Sequence, residues 1–85
     1  MIVLELAFDD DPRRLEARPA HRERLAELHA NGTLVLAGPW ADDSGALLVF
    51  DAEMSEVDKV MTEDPYYTTE GVRVLGLREW RLVVS

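Results

Sequence analysis

Apolar residues in this chain recur with a period of two in some stretches and near 3.6 in others. The order of those stretches limits the folds open to it more than any other feature. Ile2, Leu4, Leu6 and Phe8 alternate onto one face of a strand, and Asp9-Asp10-Asp11-Pro12 stops it. Three consecutive carboxylates cannot all point inward at one cation, so that run reads as a solvated turn. A helix is expected from about Pro19 to Asn31, preceded by an extra turn at Leu15–Arg18. Proline suits a first helical position because its missing N–H has no partner there. His21, Leu25 and Leu28 share the inward stripe, and Asn31-Gly32 ends the helix.

Thr33–Ala37 reads as a second strand closed by Gly38-Pro39, and Ala46–Phe50 as a third, with turn residues at Ala41–Gly45 between them. A second helix is expected at about Glu53–Glu63, burying Met54, Val57, Val60 and Met61. Pro65 ends it by pushing Asp64 out of helical angles. After a turn at Gly71, Val72–Val84 reads as a long fourth strand. Its apolar phase shifts from Leu75/Leu77 to Trp80/Leu82/Val84, which places a bulge near Arg78-Glu79. The order β-α-β-β-α-β is the ferredoxin-like pattern: an α+β fold with a four-stranded antiparallel sheet and both helices on one face. The whole chain, 1–85, is expected to be one domain.

Composition removes several function classes. Seventeen acidic residues against nine Lys and Arg give a formal charge of −8. Neither nucleic acid nor an anionic membrane favours such a surface without a separate basic patch, and Arg13-Arg14 and Arg22/Arg24 are interleaved with acids as on a solvated face. There is no cysteine, hence no disulfide, thiolate metal site or sulfur redox chemistry. The N-terminus opens on a strand pattern and not on a signal-peptide pattern, and no apolar run nears the roughly 18 residues of a membrane span. A cytoplasmic location is the expectation.

The topology has a consequence for chemistry. If the first strand runs up, the upper end gathers the start of the first helix, the Gly38–Gly45 loop, the end of the second helix and the loop after Phe8. His21 and Asp64 fall at that end together. Histidine exchanges protons near neutral pH, and a carboxylate can hold one ring nitrogen in a fixed tautomer. The helix N-terminus is expected to disfavour the imidazolium, and Asp64 to favour it. Gly38, Pro39, Trp40, Ser44 and Tyr66 are the expected pocket contacts. On the residues alone a second reading stays open, in which His21 caps or packs at a helix end and Asp64 only terminates its helix. His29 belongs to the opposite end. No metal-ligand spacing and no nucleophile elbow around Ser44 are present.

One further pattern concerns partners. Val3, Ala7, Leu47 and Val49 are apolar on the sheet face away from the helices. An open face of that kind is expected to be covered, most simply by a second copy in a C₂ homodimer with Trp80 near the contact.

The series Arg18-Pro19-Ala20-His21 with Leu25 and Leu28, Gly32-Thr33-Leu34, Ala37-Gly38-Pro39, Gly45, Asp64-Pro65-Tyr66 and Gly71-Val72 resembles the YCII-related (YciI-like) domain family over nearly the whole chain. The resemblance implies a ferredoxin-like fold dimerising into an α+β barrel, similar to muconolactone isomerase. It also implies a histidine–aspartate acid–base pair in a cleft, matching His21 and Asp64. One branch of that family eliminates chloride from a chlorinated hydroxyquinol. The chain departs from the family pattern at Thr69-Glu70 and in a short Trp40–Ser44 loop. Two functions are therefore expected. One is a cofactor-free lyase or isomerase moving protons on a small cyclic or aromatic metabolite. The alternative is a non-catalytic domain that holds a small-molecule ligand in the same cleft.

Overall fold

A computed structural model describes residues 1–85. Its elements run β1 (Ile2–Phe8), α1 (Arg13–Ala30), β2 (Leu34–Pro39), β3 (Gly45–Phe50), α2 (Met54–Glu63), a 3₁₀ turn (Pro65–Thr68) and β4 (Val72–Glu79). The strands form one antiparallel sheet in the order β2-β3-β1-β4, which is the ferredoxin-like arrangement. Register explains which face is inside. Ile2, Leu4 and Leu6 pair with Phe50, Leu48 and Ala46, so all six project to the same side. They are buried there with Leu28 of α1 and Val57 and Val60 of α2. Both helices therefore cover one face of the sheet. Each fully buried side chain of this kind contributes about 1.5–3 kcal/mol relative to exposure.

The first helix begins six residues before Pro19. Pro12 occupies its N-cap, and the Asp11 carboxylate accepts the Arg13 backbone N–H at 2.9 Å. Pro12 and Pro19 carry equal credentials as a helix start. What separates them is the Asp9–Asp11 turn, in which Asp9 Oδ1 also accepts the Asp11 N–H. Pro19 lies inside the helix with its ring exposed, where it has no N–H to offer the Leu15 carbonyl.

The fourth strand is shorter than expected because of the length of its neighbour. Pairing with β1 ends at Ile2↔Glu79, and the Trp80 N–H then reaches the Met1 carbonyl at 2.7 Å. Beyond that point β1 has run out, so the apolar alternation through Val84 meets no partner in this chain. The irregularity in register also sits elsewhere. It falls opposite Glu5/Leu6, where Leu75 is the extra residue between paired Val74 and Gly76.

Gly45 opens β3 where two backbones nearly touch. A Cβ there would run into the Leu6 carbonyl oxygen and press on the Trp40 ring. Only glycine permits this approach, which brings the β2–β3 loop against the end of β1. Gly45→Ala is expected to cost about 1–3 kcal/mol, read as a lower urea midpoint with an unchanged m value.

Candidate functional site

The centre of the site is a hydrogen bond between residues 43 positions apart: His21 Nδ1 to Asp64 Oδ2, at 2.7 Å. Both residues are buried. Asp64 is held there by the local chain. It closes α2 in an extended conformation and caps the 3₁₀ turn, its Oδ1 accepting the Tyr66 N–H at 3.0 Å, with Pro65 at the first position of that turn. One carboxylate oxygen thus builds the turn and the other holds the histidine.

The two tyrosines that follow fix the imidazole plane. The Tyr66 ring stacks on His21 at 3.8 Å between centroids and 6° between planes. Tyr67 meets His21 edge-on at 5.3 Å and 89°. Tyr67 is a wall and not a pocket group: its hydroxyl is buried with no partner, and burial pushes its phenol well above the usual range, reinforced by Asp64.

Burial pushes the His21 pKa down, and it outweighs the Asp64 hydrogen bond and charge, which pull it up. The imidazole is therefore neutral at neutral pH. A carboxylate can only accept, so the ring proton sits on Nδ1 and the lone pair on Nε2. Nε2 makes no hydrogen bond within the protein, and His21 lines a pocket of about 340 Å³. The arrangement presents an oriented, unprotonated imidazole nitrogen to that space. The helix-end influence expected from the sequence does not operate, because His21 lies in the third turn of α1, beyond the reach of the N-terminal dipole.

The pocket floor is apolar and built by the sheet: Leu6 and Phe8 of β1, Ala37 of β2, Ala46 and Leu48 of β3. Of the residues named as pocket contacts from sequence, Gly38, Pro39 and Tyr66 line it. Trp40 and Ser44 do not. Trp40 is 44% exposed and turns to pack beside Gly45. Ser44 is exposed, its N–H bound to Asp42 and its carbonyl accepting from Phe8. The loop residue that lines the pocket is Asp43, carried in by a positive φ of 59°. His29 lies away from the site, its Nδ1 3.1 Å from the Leu34 carbonyl.

Arg14, expected with Arg13 on a solvated face, is buried, and Arg22 lines the pocket. Arg18 and Arg22 line the pocket beside His21. Arg14, buried, lies 4.8 Å over the Phe8 ring and pairs with Asp43 at 3.2 Å. The signal was the spacing 14, 18, 22, one helix face at i, i+4 and i+8. A helix started at Pro19, even with an extra turn at Leu15–Arg18, leaves Arg14 outside and does not show this face. Arg24, grouped with Arg22 from sequence, does belong to a solvated network with Glu27 and Glu63.

No curated protein matches the chain. Among solved structures, it is similar to 5-chloro-2-hydroxyhydroquinone dehydrochlorinase (TftG) from Burkholderia phenoliruptrix AC1100, in complex with 2,5-dihydroxybenzoquinone. The TM-score is 0.59 at 19% identity, covering 95% of this chain and 94% of that one. That likeness is one of fold. The model of the YCII-related domain matches residues 1–81. The chain belongs to the YCII-related domain family.

Proposed function

We propose that this protein is a small enzyme that moves protons on a cyclic or aromatic metabolite, with His21 as the acid–base group and Asp64 as its orienting partner. The observation that carries this reading is the buried 2.7 Å contact that commits Nδ1 and leaves Nε2 free at the pocket. Nε2 takes a proton from a ring carbon. The C–H electron pair then forms a new double bond. In a lyase, a leaving group departs with its bonding pair. In an isomerase, the imidazolium returns the proton at another carbon. The pocket size and apolar floor suit one substituted ring. The fold neighbour, a dehydrochlorinase holding a dihydroxybenzoquinone, supports the substrate class. None of these steps calls on a cofactor.

The reading takes the working unit to be a homodimer closed over the open sheet face. Leu36 and Leu75 are more than half exposed on that face, at 56% and 52%, and Trp80 lies half-exposed beside Val3 and Leu47. Glu5 and Arg78 share the face, so a two-fold axis can set the acid of one copy against the base of the other. Sedimentation is expected to give twice the 9.6 kDa chain mass, and Leu75→Asp a monomer. A monomeric wild-type protein would contradict this part.

For the chemistry, a thermal-shift screen of hydroxylated and halogenated ring compounds is followed by mass spectrometry of each hit. A hit converted by wild type is expected to lose about 10²–10⁴-fold in kcat with His21→Gln. Its kcat/KM should rise with pH through a value below 6.5 and then level, because the neutral imidazole is the active form. Asp64→Asn should move that limb to lower pH, having removed the group that pulls the imidazole pKa upward. Hits that stabilise the protein and emerge unchanged would identify a binding domain.

A further inference from the structure

Arg14, Arg18, His21, Arg22 and Leu25 occupy one face of α1, and four of the five line the pocket. Arg18 and Arg22 are not spent on ion pairs. The ion pairs of the chain join Arg13 to Asp11, Arg14 to Asp43, Arg24 to Glu27 and Glu63, and Lys59 to Glu63. Arg73, Arg78 and Arg81 are likewise without ion pairs, but only Arg18 and Arg22 among the unpaired arginines line the pocket. The one acid on the pocket, Asp43, is already matched by Arg14. Arg14 itself is incompletely satisfied. Its Nε donates to the Asp9 carbonyl and one terminal nitrogen to Asp43, but Nη1 is buried with no partner. A buried donor left open beside residues that line a pocket is costly unless something accepts from it.

The Tyr66 phenol stands within the field of all three arginines. Burial raises its pKa, while Arg14, Arg18 and Arg22 each pull it down. Arg18 and Arg22 line the same pocket as the stacked His21 and Tyr66 rings.

We infer that the His21 pocket is built for an anionic ring compound, whose oxyanion is paired by Arg18 and Arg22 while its ring lies on the apolar floor beside Tyr66. The inference deepens, and rests on, the reading of this pocket as the substrate site. Guanidinium groups bind planar oxyanions through paired N–H donors, and such charge-assisted bonds are about twice as strong as neutral ones. The same arginines would hold negative charge that develops on the ring oxygen as Nε2 removes a proton. A carboxylate and an ionised ring hydroxyl share this chemistry, and the test separates them.

Equilibrium binding is measured by calorimetry with two matched pairs. One is 2,5-dihydroxybenzoate against its methyl ester. The other is 2,5-dihydroxybenzoquinone, an acidic enol, against its neutral dimethyl ether. At least one anion is expected to bind about tenfold or more tightly than its neutral partner, with a preference that weakens as salt is raised. In Arg18→Gln/Arg22→Gln that preference should fall to near unity. Both side chains project from the helix surface, and circular dichroism checks that the variant is folded. Preference in the first pair alone assigns a carboxylate, in the second alone a ring oxyanion, and in both an unspecialised oxyanion site. Neutral compounds binding as well as the anions, neither anion binding, or a preference surviving in the double variant would overturn the inference. Binding with the expected preference but no turnover upholds it and counts against the acid–base reading instead.

Discussion

The buried hydrogen bond between His21 and Asp64 ties the first helix to the chain that leaves the second. Asp64 sits at the join of α2 and the 3₁₀ turn, and His21 on the buried face of α1. Burying a carboxylate and an imidazole together is not a route to stability, because the desolvation cost rivals the attraction. The arrangement here lowers that cost in two ways. Asp64 is satisfied on both oxygens, by His21 and by the Tyr66 N–H. The histidine stays neutral, since burial prevails over the carboxylate. What results is a hydrogen-bonded base held between two tyrosine rings, with a fixed tautomer and one free nitrogen. Such preorganisation is what proton transfer requires of a side chain.

The sheet contributes placement and little chemistry. Gly45 lets β3 start against the Leu6 carbonyl, so Ala46 and Leu48 form the floor beneath the histidine. Small residues at 37, 38 and 46 keep that floor low. The positive φ at Asp43 turns its carboxylate toward Arg14 and leaves Trp40 to seal the outside of the same loop. The polar side chains of the pocket therefore come from α1, the β2–β3 loop and the 3₁₀ turn, and its shape comes from the strands.

Much of this was legible from the amino acids. The order of elements followed from hydrophobic period and from the prolines and glycines that punctuate it, and the nearness of His21 to Asp64 followed from that order. The missing parts share a physical origin. Local patterns do not encode the length of a neighbour, so nothing in Trp80–Val84 announces that β1 ends first. Nor does a proline state which of two candidate starts it marks. Taking Pro19 over Pro12 put His21 at a helix end and hid the arginine face. Trp40 and Ser44 were expected in the pocket because the loop was; the direction of a loop side chain depends on a backbone angle that Asp43 alone sets to a positive value.

The coupling between the two central residues is tested most directly by an NMR pH titration of both histidines in wild type and in Asp64→Asn. His21 should titrate below 6.5 in the wild type, and lower still in the variant, since the only influences raising it come from Asp64. If His21 titrates identically in the two proteins, the carboxylate does not govern the imidazole, and the pair is not the unit on which this site is built.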